Sequence, residues 1–322
     1  ELLLRRPKTN KAAQLASQPR TPENQYSRLH FIPFRVSGLL TAMNCRSPPL
    51  VVNQPNKCLS KDGRACPTFL LFAIKSRPGH FEQRQSVRET WGREGVFQSG
   101  LRVRTLFLLG KSSSNEPDIG ALLSLEAETY KDILQWDFNE SLLNLTLKST
   151  AFLQWTLKNC PHVFFLFSGD DDVFVNTPAL LSYLQALEPS KASDLFVGHV
   201  ISTAVPLRDS KSKYYIPLSF YDGPYPSYIG GGGFVISGEL IQRLYSISHV
   251  IPFFPIDDVY TGMCLKALGV SPEPHPGFQT FDVSEQGREN LCVHKGLILI
   301  HQRSPSELKK LWKGIHSPLL TC

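Results

Sequence analysis

From Pro67 onward the chain alternates short, continuously apolar runs with longer stretches whose apolar residues recur at helical spacing, the pattern of a parallel or mixed sheet with crossover helices. Phe69 to Ile74 reads as a buried strand, His80 to Trp91 as a helix, Val103 to Leu109 as a strand, Pro117 to Tyr130 as a helix and Ile133 to Phe138 as a short strand. Leu142 to Lys158 gives a long helix that Cys160-Pro161 stops, because the residue before proline is disfavoured in the helical region. Val163 to Phe167, apolar on both faces, must be an interior strand, and it runs straight into Ser168-Gly169-Asp170-Asp171-Asp172. The remainder is less regular: a strand from Leu195 to Val200, a Tyr/Pro-rich loop from Tyr214 to Tyr228, the run Gly230 to Gly233, helices near Glu239 to Tyr245 and Asp258 to Leu268, and a strand from Leu297 to Ile300. No internal repeat occurs. The order implies one α/β domain over 67–322 with ligands at the carboxyl ends of its strands.

Residues 1–66 lack this periodicity and are rich in Pro, Ser, Asn, Gln and Arg, so a largely irregular stem is expected there. Charge follows the same division. Of 34 Lys and Arg, 11 precede Pro67, against 3 of 28 Asp and Glu, which leaves 23 basic and 25 acidic residues in the body. The net +6 therefore belongs to the stem, where it is either a solvated linker or an attraction to an anionic surface, and no nucleic-acid partner is expected of the body. No apolar run reaches the roughly 18 residues that span a bilayer. A chain opening on Glu1 rather than Met leaves room for an upstream anchor.

The 7 cysteines show no zinc-type spacing. Cys292 with Cys322 is one pairing that flanking position suggests, and the rest of the connectivity stays open. Asn139-Glu-Ser141 and Asn144-Leu-Thr146 are glycan-acceptor triplets, whereas Asn176-Thr-Pro178 is disqualified by its proline. Together these favour a secretory compartment.

Asp170-Asp171-Asp172 is the sharpest chemical feature. Three adjacent carboxylates beside a Phe-rich strand repel one another and are costly to desolvate unless a cation offsets them. Hard divalent ions such as Mn²⁺ or Mg²⁺ prefer such oxygens and leave positions open for phosphate. In an extended segment Asp170 and Asp172 share a face and Asp171 does not; the alternative is a solvated acidic turn. Ile256-Asp257-Asp258-Val259 opens a helix, so its carboxylates are either caps favoured by the helix dipole or a general base. Gly230 to Gly233 permits close backbone approach or a flexible loop; it does not fit G-x-G-x-x-G, and Gly110-Lys111-Ser112 lacks the first glycine of a phosphate loop. Arg84 and Arg88, four apart on one helix face, either clamp anionic oxygens or are solvated. His301 closes a late strand as a metal ligand or a loop histidine. Trp91 reads as core, and the tyrosines of the 214–228 loop as sugar-binding walls or surface packing.

Six ordered motifs now carry a resemblance: Phe69-Leu-Leu-Phe-Ala-Ile-Lys75-Ser76, Arg84-x-x-x-Arg88-Glu-Thr-Trp-Gly92, Asn144-Leu-Thr-Leu-Lys148, Gly169-Asp-Asp-Asp-Val-Phe-Val-Asn176, Tyr228-x-Gly-Gly-Gly-Gly-Phe234 and Ile256-Asp-Asp-Val-Tyr-Thr-Gly262. They resemble the β-1,3-glycosyltransferases of glycosyltransferase family 31, and the quadruple glycine is closer to the N-acetylglucosaminyl branch than to the galactosyl branch. The resemblance covers Pro67 to the C-terminus. It implies a GT-A type fold, with a Rossmann-like mixed sheet flanked by helices, a UDP-GlcNAc donor, a Mn²⁺ or Mg²⁺ ion and an inverting transfer to a glycan acceptor on glycoprotein or glycolipid. By position it implies Asp258 as catalytic base, Asp257 capping or orienting beside it, and Asp172, Asp170 and His301 at the metal. It further implies Lys75, Arg84, Arg88, Lys148, Asp170 and Asp171 at the donor, and Tyr228, Gly231, Gly232 and Asp257 at the acceptor. A type II anchor in the Golgi membrane and association with a second copy or a related transferase are further implications. The alternatives are β-1,3-galactosyl transfer, a non-catalytic glycan-binding or chaperone-like relative, and metal-dependent phosphoryl or nucleotidyl transfer.

Overall fold

The computed structural model describes residues 46–60, 62–97, 100–112 and 117–322, so the stem reading of residues 1–45, Cys45 included, lies outside the described residues. In chain order the elements are β1 (Leu50–Val52), β2 (Thr68–Lys75), α1 (Phe81–Glu89), β3 (Gly95–Val96), β4 (Arg102–Lys111), α2 (Gly120–Tyr130), β5 (Ile133–Asn139) and α3 (Leu145–Asn159). They continue with β6 (Val163–Asp170), β7 (Phe174–Val175), α4 (Thr177–Gln185), α5 (Pro189–Ala192), β8 (Phe196–Ile201), β9 (Tyr228–Ser237), α6 (Gly238–Ser248) and α7 (Asp257–Ala267). The last are β10 (Glu273–Pro274), β11 (Phe278–Gln279), α8 (Leu291–Lys295), β12 (Leu299–Ile300) and α9 (Pro305–Ile315).

Among the described residues, nine strands make one mixed sheet in the order β1-β5-β4-β2-β6-β9-β8-β10, with β3 on β4, and a second sheet joins β11-β12-β7. β5, β4, β2 and β6 run parallel, and β9 is antiparallel to both β6 and β8. This is the mixed α/β architecture expected. The runs in β2 and β6 are apolar on both faces because helices cover both sides of the sheet's centre. Phe72, Phe167 and Trp91 meet edge to face there, with centroids 5.3 Å apart for Phe72–Trp91 and Phe72–Phe167, so Trp91 is core as read from sequence.

Two expectations need correction. Residues 46–60 and 62–66 are largely irregular, as expected, but they are tied to the body: β1 adds antiparallel to β5, and Cys58 is disulfide-bonded to Cys160 at the end of α3. The boundary expected at residue 66 thus falls inside the fold. The glycine run is not the flexible loop that was one of its two readings but the middle of β9, paired with β6 and β8. The Cys292–Cys322 disulfide is present.

Candidate active site

The parallel register of β2 and β6 sets Lys75 directly opposite Asp170, so the two strand ends deliver their charged residues together. Lys75 Nζ lies 3.2 Å from Asp170 Oδ1 and 3.1 Å from Asp257 Oδ2, tying the sheet to the first turn of α7. Burial disfavours the Lys75 cation, but Asp170, Asp257 and Asp258 outweigh it and raise its pKa well above the usual lysine value. Asp257 therefore orients rather than caps: Ile256 is the N-cap of α7, and no side-chain cap bond is made. Next along the chain, Asp171 accepts hydrogen bonds from Ser76 Oγ at 2.6 Å and His80 Nδ1 at 2.9 Å. Lys148 reaches from α3 to donate to Ser76 O at 2.9 Å and to Glu140 at 2.7 Å. These residues line a polar hollow of about 210 Å³. Ser76, His80 and Glu140 were given no role from sequence; Ser76 stood inside a quoted motif, and its use became visible only when the strand end was placed.

His301 arrives by a separate route. β12 pairs antiparallel with β7, Ile300 opposite Phe174, which carries His301 back toward Asp172. Its Nε2 is 3.3 Å from Asp172 Oδ1 and 3.8 Å from Asp170 Oδ2, and ligand atoms of all three residues lie within 4.8 Å of one another. His301 Nδ1 is 3.1 Å from the Thr280 carbonyl, a contact that requires Nδ1–H to donate and leaves the Nε2 lone pair for a cation. Burial pushes the Asp170 carboxyl up to about 6, with Lys75 opposing and Asp172 and Asp257 adding to the rise. Two carboxylates and one imidazole this close together are compatible with a divalent ion. The fit rests on the donor set, and Asp171, already held by Ser76 and His80, is not part of it.

Across Lys75 and Asp170 the polar hollow adjoins a cavity of about 420 Å³, lined among others by Tyr214, Tyr225, Tyr228, Asp257, Asp258 and His301. Of the five buried side-chain nitrogen and oxygen atoms without a partner among the described residues, two belong to residues that line this cavity, Asp258 (Oδ1) and Tyr225 (its hydroxyl). Burial, then repulsion from Asp257, raises the Asp258 pKa well above the usual carboxylate range. That makes it a stronger base than an exposed aspartate. The glycines explain how it gets there. A Cβ on Gly231 would sit 2.7 Å from Asp258 Oδ2, and one on Gly232 3.1 Å from His301 Cβ, so the absence of side chains lets β9 pass closely between Asp258 and His301. Gly231 and Gly232 thus admit these two residues to the site. A larger concavity of about 510 Å³ lies beside α9 and gathers no comparable set.

Arg84 and Arg88 stand behind the cleft, not in it. Arg84 is fully buried, donating to Glu126 at 2.9 and 2.6 Å, to Pro78 O at 2.9 Å and to Ser76 Oγ at 3.1 Å. Arg88 pairs with Glu126 and Asp132, each at 2.7 Å. The four-residue spacing does place both on one face, but that face meets two acids from α2 and the loop after it. Asn139 is exposed at the end of β5, whereas Asn144 donates from Nδ2 to Asn139 O and buries its Oδ1. Of the two triplets, Asn139 is the accessible one.

A family model described as Galactosyltransferase matches residues 82–276. N-acetyllactosaminide beta-1,3-N-acetylglucosaminyltransferase 2 of Mus musculus is 45% identical, covering 97% of this chain and 80% of that protein. Acetylgalactosaminyl-O-glycosyl-glycoprotein beta-1,3-N-acetylglucosaminyltransferase of Mus musculus is 42% identical over 93% of this chain and 77% of that one. UDP-GlcNAc:betaGal beta-1,3-N-acetylglucosaminyltransferase 9 of Homo sapiens is 42% identical over 89% and 75%.

Proposed function

Because this chain belongs to the galactosyltransferase family, we propose that it transfers N-acetylglucosamine from UDP-GlcNAc to the 3-hydroxyl of a terminal galactose, forming a β-1,3 bond with inversion. The observation that carries the reading is Asp258, half-buried and with one carboxylate oxygen unpartnered, lining a cavity that also touches Asp170 and His301. Asp258 accepts the proton of the attacking hydroxyl while that oxygen bonds to the anomeric carbon and the bond from that carbon to the β-phosphate oxygen breaks, releasing UDP. Asp170, Asp172 and His301 would hold a divalent ion, which supplies charge neutralisation for the departing pyrophosphate. Lys75 keeps Asp170 and Asp257 in place, and Ser76 and His80 hold Asp171 toward the donor hollow. The choice of N-acetylglucosamine over galactose rests on the names of relatives at 42–45% identity. A luminal, Golgi-type setting is supported by the two disulfides and by exposed Asn139. No helix among the described residues is long and apolar enough to cross a membrane.

Purified protein with Mn²⁺ and a galactose-terminated acceptor should turn over UDP-GlcNAc in preference to UDP-galactose and stop on chelation. Preference for UDP-galactose would make it a galactosyltransferase. Release of phosphate or pyrophosphate in place of UDP would overturn glycosyl transfer, and absence of any product would favour a non-catalytic relative.

A further inference from the structure

The turn that carries His301 has an uncommon backbone. Gln302 has φ 60°, and among the described residues Lys131 is the one other non-glycine residue with positive φ. Lys131 caps the end of α2, where helices often turn left-handed, so its φ has a local cause. Gln302 follows the two-residue strand β12 and ends no helix. A residue with a Cβ holds such a conformation only where its surroundings enforce it. Here the enforcing group is Arg303, which is 2% exposed. Its Nη1 donates to the His301 carbonyl at 3.2 Å and to the Gln302 carbonyl at 3.0 Å, and its Nη2 donates to Asp282 Oδ1. Its backbone N donates to the Asp172 carbonyl at 2.7 Å. One residue thus grips the main chain of two members of the Asp170, Asp172 and His301 cluster. Asp282 in turn ties the guanidinium to the loop whose Thr280 carbonyl accepts from His301 Nδ1.

We propose that Arg303 is a positioning residue for the metal site: by holding Gln302 left-handed it keeps His301 Nε2 turned toward Asp172 and Asp170, and so sets the affinity of the cluster for its ion. The proposal rests on the reading of these three residues as the metal site. Asp170 and Asp172 leave one strand end together, whereas His301 must be brought to them from another part of the chain. A two-residue strand fixes its direction weakly, and the guanidinium supplies what the strand lacks. Lysine could still pair with Asp282, but it has no planar fork with which to serve two carbonyls and a carboxylate at once.

Mn²⁺ binding to the full chain without nucleotide, followed by loss of the paramagnetic resonance signal of the free ion, tests this without turnover. Arg303→Lys should weaken Mn²⁺ binding about 10–100-fold, as removal of a group that orients a metal ligand usually does. The decisive step adds Gln302→Gly. Glycine takes the left-handed region freely, so Arg303→Lys/Gln302→Gly should regain about fivefold or more in affinity, whereas Arg303→Lys/Gln302→Ala, which keeps the Cβ, should regain none. If Arg303→Lys does not fold, Asp282→Asn loosens the guanidinium without removing it and must show the same glycine-specific recovery in milder form. Unchanged Mn²⁺ affinity in Arg303→Lys, even with a lower melting temperature, overturns the proposal and leaves Arg303 a structural residue. Equal recovery with glycine and alanine overturns it too. A parent chain that binds no Mn²⁺ removes the metal site and this role with it. The expected order of affinities without any transfer of N-acetylglucosamine would instead sink the proposed reaction and leave the role of Arg303 standing.

Discussion

The two hollows that meet at Lys75 and Asp170 follow opposite rules. In the polar hollow Asp171, Lys148 and Lys75 each have protein partners within 3.2 Å, and Ser76 Oγ is shared between Asp171 and Arg84. In the acceptor cavity Asp258 Oδ1 and the Tyr225 hydroxyl have none. A satisfied buried network is rigid and chemically quiet, while an unsatisfied carboxylate is basic and pays a desolvation cost until a substrate hydroxyl arrives. The difference suggests a division of labour: residues that hold the donor are pinned from behind, and the residue that takes the proton is left free in front.

The harshest way to break that contrast is to remove the basicity of the free residue. Asp258→Asn keeps the shape and should lower transfer by about 10²–10⁴-fold while leaving UDP affinity as it is, measured by turnover and by calorimetry. A variant that keeps most of its activity would show that the unpartnered oxygen is not the base.

The pinned side should answer in stability. Arg84→Met leaves Glu126 with Arg88 as its remaining ion-pair partner and removes one partner of Ser76 Oγ, and breaking a buried pair typically costs about 3–5 kcal/mol. For a domain of this size that corresponds to a melting temperature lower by about 10 °C. A variant with an unchanged melting temperature but much weaker UDP binding would return Arg84 to the donor contact that its helical spacing first suggested.

That reversal shows what could be read in the chain and what could not. β2, β4 and β6 were legible because apolar runs with no polar face can only be interior strands, and Asp258 and His301 stood out as candidates because one opens a helix and the other closes such a run, while position alone left their roles open. Arg84 was misplaced because periodicity gives a face and not what the face meets; Glu126 and Asp132 come from another element some 40 residues on. Of the two readings of the glycine run, close backbone approach held and the flexible loop did not, because a strand that passes closely between Asp258 and His301 looks, in sequence, like a loop. β1 was missed because three residues on a sheet edge leave no periodicity. α4 and α9 were missed although their signals were present. Asn176 caps α4 with Pro178 in its first turn, the same proline that disqualifies the sequon, and Ser304-Pro305-Ser306-Glu307 is a capping box.

That capping box supplies the mildest test of the paired side. α9 begins four residues after His301, and Ser304 N and Oγ donate to Glu307 Oε2 at 2.8 and 2.7 Å, with Arg288 at 3.1 Å from Oε1. The bond from the Ser304 backbone, more than any other contact, lowers the Glu307 pKa from 4.5 to about 2. A carboxyl whose folded pKa lies below its unfolded one stabilises the fold above pH 4.5 and loses that contribution as the pH falls toward 2. Glu307→Gln retains a side chain able to close the box and gives up only the charge, so at pH 7 it should melt about 1–3 °C lower than the parent. The gap should close progressively below pH 4.5 in parallel thermal melts. A gap that is the same at pH 3 as at pH 7 would mean that the geometry of the box, and not its charge, anchors the segment that brings His301 to Asp172.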